Sequence, residues 1–307
     1  MGGMAQSASI TPNLWFPGNA AEAAEFYVTS FGGASELIET AHYPDTDLPE
    51  FQQHLAGKLL TAELSLRGYS LTLMNAGQES FSPNPSISFM LNFDPLNYPD
   101  STAARQDLDE LWVKLADGGE ILMPLDRYPF SEHYGWVQDR YGFSWQLLLT
   151  DPAGDPRPFI MPAFMFGGPN QNRAVEAVDH WTQIFPDSTI GQRVYYPEPV
   201  GPATDGSVMF SDFQLTQQWF VAMDAGVDQD FTFNEAVSLA VACADQSTID
   251  RYWRELSAVE EAEVCGWCQD QFGVSWQIVP DNIAELLQRP NAHQRMMNMK
   301  KLIIEDF

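Results

Sequence analysis

The segment Gly135-Trp136-Val137-Gln138-Asp139-Arg140-Tyr141-Gly142-Phe143-Ser144-Trp145-Gln146 returns later in the chain as Gly266-Trp267-Cys268-Gln269-Asp270-Gln271-Phe272-Gly273-Val274-Ser275-Trp276-Gln277. Both copies follow the pattern Trp-x-Gln-Asp-x-x-Gly-x-Ser-Trp-Gln. The spacing between them is far above the roughly 20 to 50 residues of solenoid repeats, which indicates two copies of a whole folding unit. The chain is therefore predicted to be a tandem duplication.

The duplication extends well beyond this segment. Leu14-Trp15-Phe16 corresponds to Phe164-Met165-Phe166, and the stretch 64–77 aligns without a gap on 213–226. The segment 151–158, rich in Pro and Gly, reads as a linker between the copies. The sequence thus predicts one module over 8–150, a second over 159–282 and a C-terminal helical tail over 283–307.

Composition limits the classes of partner. The chain has 307 residues, 45% of them hydrophobic, and a formal net charge of -27 from 42 acidic and 15 basic residues. So strong an acidic excess would repel a phosphate backbone, which argues against nucleic acid and against an anionic membrane. The expected partner is a small-molecule ligand, with a homodimer as a further alternative.

The expected location is the cytoplasm. No segment approaches the ~20 apolar residues of a membrane span, and Met1 to Ile10 lacks the regions of a secretory signal. The three cysteines are too few and too clustered for a disulfide framework, which agrees with a reducing compartment.

Periodicity predicts a mixture of strands and helices in each copy. In the first copy, strands are expected over 10–16, 59–66, 69–74 and 86–93, and a closing hairpin over 135–138 and 144–149. Helices are expected over 20–30 and 108–116. The predicted class is α+β.

Four features carry a family resemblance: the opening Thr11-Pro12-Asn13-Leu14-Trp15-Phe16, the predicted helix from Glu22 to Tyr27, the closing Asp-x-x-Gly-x-Ser-Trp-Gln strands, and the tail Met296-Met297-Asn298-Met299-Lys300-Lys301. Together they resemble the PhnB-like branch of the glyoxalase, or vicinal oxygen chelate, superfamily, a branch often labelled 3-demethylubiquinone 3-methyltransferase. The resemblance implies tandem βαβββ modules that form curved mixed sheets. It also implies that each sheet cups a cavity where a metal held by His, Gln and Glu polarises substrate oxygens.

The ligand set that the resemblance implies is mostly missing. The first-strand histidine would fall near Pro12 or Asn13 and near Pro162 or Ala163, while Gln146 and Gln277 take the place of the closing-strand glutamate. A glutamine ligates through a neutral carbonyl oxygen and brings no charge to a metal. No cofactor is predicted on this basis, and a divalent metal stays open as the alternative.

Strand alternation selects the side chains that would face the cavity. Glu63 and Asp212 lie at matched positions and are candidate catalytic acids, as general base or ligand, or else are solvated strand residues. Aromatic walls for a flat ligand are expected from three tryptophans, with ordinary sheet packing as the alternative. The candidate substrate-binding residues are Trp15, Thr61, Ser88, Trp136, Gln146, Ser238, Trp267 and Gln277.

Two functions follow as alternatives. The first is a PhnB-like protein that acts on an unidentified small molecule by an unknown reaction. The second is a non-catalytic protein that binds or sequesters a small molecule without a metal. The sequence leaves open whether the protein is an enzyme.

Overall fold

The protein is described from a computed structural model, which covers residues 9–46, 48, 50–77 and 81–307. The expectation that no secretory signal precedes the fold rests on Met1 to Ile10, and residues 1–8 of that stretch lie outside the described residues. Within the described residues, no helix is long and apolar enough to cross a bilayer.

Strands dominate the chain and helices are few. The strands are β1 (Ile10–Phe16), β2 (Glu36–His42), β3 (Leu59–Leu66), β4 (Tyr69–Asn75), β5 (Ile87–Phe93), β6 (Glu120–Tyr128), β7 (Ser131–Gln138), β8 (Ser144–Leu149), β9 (Ile160–Phe166), β10 (Thr189–Tyr195), β11 (Val208–Leu215), β12 (Gln218–Asp224), β13 (Val237–Cys243), β14 (Trp267–Gln269) and β15 (Ser275–Pro280). The helices are α1 (Ala20–Phe31), α2 (Ser101–Ala116), α3 (Ala174–Ile184), α4 (Gln246–Leu256), α5 (Ile283–Leu286) and α6 (Ala292–Met297).

Each copy contributes two units of the βαβββ type. The units begin at β1, β5, β9 and β13, and the last of them passes from α4 to β14 without an intervening strand. Sequence periodicity did not predict the edge strands β2, β6 and β10. The reason is physical: every residue of β2 is exposed and β10 is nearly as open, so neither carries the apolar alternation of a half-buried strand.

One helix begins earlier than predicted. Helix α2 starts at Ser101 rather than at Leu108, because Asp100 caps it: a carboxylate oxygen of Asp100 accepts the Ala103 N–H at 2.9 Å. The first turns of α2 contain few apolar residues, so the hydrophobic pattern identified only the half of the helix that packs on the sheet.

The units assemble into two open, curved mixed sheets that exchange strands between the copies. One sheet has seven strands in the order β14-β15-β13-β1-β4-β3-β2, and the other has eight in the order β10-β11-β12-β9-β5-β8-β7-β6. The first half of each copy therefore shares a sheet with the second half of the other copy. The seams are the antiparallel pairs β1 with β13 and β5 with β9.

Matched loops tie the two copies together around a local pseudo-twofold. The Asn84 side chain donates to the carbonyl of Thr232 at 2.9 Å, and Asn234, its counterpart in the second copy, donates to the carbonyl of Ser82 at 2.9 Å. Reciprocal hydrogen bonds of this kind are expected when the two copies of a duplicated sequence contact each other through the same loop.

The aspartate of the repeated motif is buried in the core of each copy. Asp139 and Asp270 are buried, and each carboxylate accepts two backbone N–H groups of its own turn. Asp139 also accepts the Tyr27 hydroxyl and the Trp145 indole N–H, both at 2.7 Å. The motif aspartate therefore fastens the closing hairpin to helix α1, because a buried carboxylate is stable only where donors satisfy it.

Candidate functional site

A row of polar residues crosses the concave face of the seven-stranded sheet. These residues lie directly opposite one another on neighbouring strands, so they form one line perpendicular to the strands. From edge to edge the row is Glu39, Glu63, Thr72, Asn13, Ser238, Ser275 and Gln269. The other face of the same strands is apolar and packs against the helices, as alternation requires.

The row, apart from Ser238 and Gln269, lines the floor of a cavity of about 1360 Å³, which we call the open cavity. Its lining includes Thr11, Asn13, Trp15, Glu63, Thr72 and Gln277. On one side it is closed by the C-terminal tail, where His293 lies 3.0 Å from the side-chain oxygen of Gln52. The volume is at or above the upper end of the range for small-molecule sites.

The matched face of the eight-stranded sheet is filled instead. Its central row carries Asp212, Val221, Ala163, Ser88 and Ser144 in register, so Val221 and Ala163 replace the polar Thr72 and Asn13. Around them lies an apolar cluster of Met90, Met161, Ala163 and Val221, against which Leu148, Phe210, Trp219 and Met223 pack. Phe210 and Trp219 occupy the places of Thr61 and Ser70 in the first copy. Large apolar side chains thus occupy on this sheet the space that the other leaves open.

A side chain from the linker completes the filling. Arg157 donates from Nε to Asp212 at 2.7 Å, and its guanidinium stacks over the Trp219 ring at 4.0 Å. Asp212 also accepts the Gln192 N–H at 2.6 Å and is only 3% exposed. This candidate catalytic acid therefore lies in a buried ion pair.

The two glutamines of the repeated motif differ in the hydrogen bonds that their side-chain oxygens accept. Gln146 donates to Ser88 at 2.8 Å, and its oxygen accepts the Tyr134 hydroxyl at 2.8 Å. Gln277 donates to Ser238 at 2.9 Å in the same way, but Cys265 takes the place of the tyrosine. Within the described residues, no donor contacts the Gln277 side-chain oxygen, so it is left to the open cavity.

Glu63 has a perturbed carboxyl group. Its pKa is raised, chiefly by partial burial and secondly by the charge of Glu39 directly opposite on β2. Like charges at facing strand positions repel each other. The two carboxyl groups also make this end of the row rich in hydrogen-bond acceptors.

The donor set does not fit the divalent metal that the superfamily resemblance implies. The centre of the floor offers neutral groups, the Asn13 and Gln277 amides and the Thr72 and Ser238 hydroxyls, and its acids Glu39 and Glu63 form one pair at the end of the row. In the described part of the chain, no group of three or more His, Cys, Asp or Glu side chains is placed to hold an ion. A tight divalent site needs more charged or imidazole ligands in one place than this pair supplies.

The structure divides the ten predicted site residues between the two sheets. Trp15, Thr61, Glu63, Trp267 and Gln277 line the open cavity, and Ser238 bonds to Gln277 beneath it. The remaining four lie on the filled sheet: Ser88, Trp136, Gln146 and Asp212. Trp136 is 9% exposed and its indole N–H is taken up by Ser144 at 2.7 Å, so there it is a packing residue.

The sequence did not indicate Thr72 and Glu39 as parts of the site, and it indicated Asn13 only as a place where the superfamily's histidine would fall, not as a binding residue. A comparison of the copies contains a signal for two of them, since Asn13 matches Ala163 and Thr72 matches Val221. Glu39 lies on an edge strand that periodicity did not detect, so no local signal pointed to it.

The profile of the family described as 3-demethylubiquinone-9 3-methyltransferase matches residues 8–148 and again 158–279. The chain belongs to this family. Membership agrees with the PhnB-like resemblance, and the two matches follow the two copies of the repeat. A search of curated proteins gives no match.

Two solved structures illustrate the PhnB-like family and its fold. A PhnB protein from Bacillus cereus is 30% identical, covers 46% of this chain and 98% of its own, and has a TM-score of 0.38. Glyoxalase I from Zea mays is 12% identical over 91% of this chain and 95% of its own, with a TM-score of 0.54. The second likeness shows a glyoxalase-type fold over nearly the whole chain.

Proposed function

We propose that this PhnB-like protein binds one small organic molecule in the open cavity, and that the eight-stranded sheet is its closed structural counterpart. The supporting observation is the difference between matched positions: Asn13, Thr72, Thr61 and Ser70 on the open side against Ala163, Val221, Phe210 and Trp219 on the filled side. Duplication supplied two equal faces, and substitution at these positions filled one of them.

Binding is the primary activity in this proposal, and Glu63 is the group best placed to add chemistry. Its pKa is raised by partial burial and by the charge of Glu39, so this carboxyl group holds a proton more readily than an ordinary glutamate does. A reaction would therefore be acid–base chemistry on the bound molecule. If no turnover accompanies binding, the protein is a sequestration protein with the same site.

The test transfers the filling residues to the open side. A thermal-shift screen of metabolites on the intact protein is expected to identify compounds that raise the melting temperature, since ligands that bind the native state stabilise it. The variant Thr61→Phe/Ser70→Trp, which copies Phe210 and Trp219, is expected to lose these shifts and to keep its fold.

The matched control is Val227→Phe, which adds an aromatic ring at a position that is 70% exposed and outside the cavity lining. The control should keep every ligand-induced shift. Equal shifts in the double variant and in the wild type would place binding elsewhere and contradict the proposal.

A further inference from the structure

On the filled sheet, the acid at the position that matches Glu63 has a cationic partner. On that sheet Asp212 has as its partner the guanidinium of Arg157, which also lies 4.0 Å over the Trp219 ring. Glu63 is the counterpart of Asp212 on the open side. Within the described residues no Lys or Arg side chain pairs with Glu63, so the position that holds an internal cation on one sheet is left open on the other.

The charge of the lining agrees with this difference. The acidic residues of the open cavity are Glu39, Glu63, Glu235, Glu261 and Asp281. Among the described lining residues, Lys58 is the one Lys or Arg side chain. Two histidines, His54 and His293, also lie in the lining, and burial lowers the pKa of His293, which favours its neutral form. An anionic ligand would enter against this field.

One side chain at the centre of the floor has an unsatisfied acceptor. Asn13 lies at the centre of the floor and is 6% exposed, yet its side-chain oxygen has no hydrogen-bond partner among the described residues. The Gln277 oxygen also has no donor among the described residues, and it is the more accessible of the two acceptors. Acceptors in the lining that no protein group satisfies favour a ligand with N–H donors.

An aromatic wall stands beside the row. Trp15 contacts Trp267 edge to face with centroids 5.8 Å apart, and it contacts Phe81 at 5.4 Å. The Trp15 indole N–H is held by the carbonyl of Gly77 at 3.0 Å, which fixes the ring. A fixed aromatic surface of this kind fits the flat apolar body of a ligand and adds attraction for a cation.

From these observations we infer that the ligand of the open cavity is an organic cation, with one protonated amine on a flat apolar body. The amine lies at the Glu39 and Glu63 end of the row, where it takes the place that Arg157 has on the filled sheet. The body lies against Trp15 and Trp267. This inference rests on the proposed function, because it names the chemical class of molecule that the same cavity holds.

The test uses three probes that share an indole ring and differ in charge: tryptamine, tryptophol and indole-3-propionate. Calorimetric titration of the full-length protein at neutral pH is expected to show that tryptamine binds at least about tenfold more tightly than tryptophol, with indole-3-propionate the weakest. In Glu39→Gln/Glu63→Gln the preference for tryptamine over tryptophol should fall to about twofold while tryptophol binding is unchanged.

The matched control is Glu25→Gln/Glu110→Gln, which removes the same two charges from exposed positions on helices α1 and α2 and should keep the preference. Equal binding of all three probes, or a preference for indole-3-propionate, would overturn the inference and leave the proposed function standing. Loss of the preference in the control would also overturn it, since net charge alone would then explain the result. If no probe binds while the metabolite screen finds ligands, the inference falls alone. If neither experiment finds a ligand, both fall.

Discussion

At the scale of single residues, Glu63 and Asp212 show how the two faces differ at a matched position. Both acids lie at the same position of the repeat, and both were candidate catalytic groups on sequence grounds. Glu63 faces the open cavity with a raised pKa, whereas Asp212 is 3% exposed and bonded to Arg157. Arg157, a side chain of the linker, thus adds to the difference that Phe210, Trp219 and their neighbours make between the two faces.

The Arg157 to Asp212 pair gives the first prediction. Arg157→Ala is expected to lower the free energy of unfolding by about 3 kcal/mol, because removal of one partner leaves the other charge buried and unpaired. Chemical denaturation at neutral pH measures the loss. In the double variant Arg157→Ala/Asp212→Ala the losses should not add, since the two groups form one interaction.

Asp155 provides the control for this prediction. It lies 3.9 Å from the Arg157 guanidinium, but its side chain is 73% exposed, so Asp155→Ala should change stability by no more than about 0.5 kcal/mol. A loss in Arg157→Ala no larger than that in Asp155→Ala would show that the buried pair contributes nothing.

At the scale of elements, the C-terminal tail stands in for a missing strand. The fourth unit has no strand between α4 and β14, and the tail passes along that edge: Met299 and Lys300 accept the backbone N–H groups of Cys265 and Gly266 at 2.8 and 2.7 Å. Four buried tail residues form a small core of their own: Leu286, Ala292, Leu302 and Phe307. The tail therefore closes both the sheet edge and one wall of the open cavity.

His293 makes the docking of this tail dependent on pH. Burial lowers its pKa from the ordinary value of 6.5, and its neighbours Gln52 and Tyr43 carry no charge that would hold a proton on it. Well above pH 6.5 the ring is neutral in the docked and the undocked tail, so it has almost no effect on stability. As the pH falls below that value, the undocked tail takes up a proton first, and stability decreases.

The expected result is that wild-type protein loses more stability between neutral pH and about pH 5 than the variant His293→Gln does. Glutamine keeps a hydrogen-bonding group near Gln52 but does not titrate. His42→Gln, at an exposed position, serves as the control and should follow the wild type. Parallel pH profiles for wild type and His293→Gln, measured by thermal unfolding, would contradict this role.

At the scale of the whole molecule, the exchange of strands makes the two copies depend on each other. The seams β1 with β13 and β5 with β9 join the copies, and the Asn84 and Asn234 side chains bridge them. We propose that the fragments 1–150 and 159–307 are not independent folding units, because each alone leaves two central strands with unpaired edges.

Expressed separately, each fragment is expected to self-associate or aggregate; expressed together, they should co-purify as a 1:1 complex that unfolds in a single transition. Size-exclusion chromatography with light scattering and circular dichroism measures both properties. A stable folded monomer of either fragment would contradict this prediction. The intact chain, carried through the same procedure, gives the reference unfolding curve.

The sequence by itself determined the family, the α+β class and most of the strands, because these follow from local patterns and from a repeat that is present in the chain twice. It also located the closing strands, since the motif aspartates Asp139 and Asp270 sit in turns whose contacts are mostly nearby in the chain. The sequence did not predict the exposed edge strands, because their residues do not alternate between buried apolar and exposed polar positions.

Only the tertiary structure decided which residues share a cavity. Glu63 and Asn13 lie far apart in the first copy and come together through β3, β4 and β1, whereas Gln277 of the second copy joins them only because β1 pairs with β13 across the seam. The position of Arg157 over Trp219 is a contact of the same long-range kind. Such contacts depend on how the strands assemble into sheets, and a local stretch of sequence carries no information about this assembly. The repeat therefore predicted two equal sites, whereas the fold leaves one of them open.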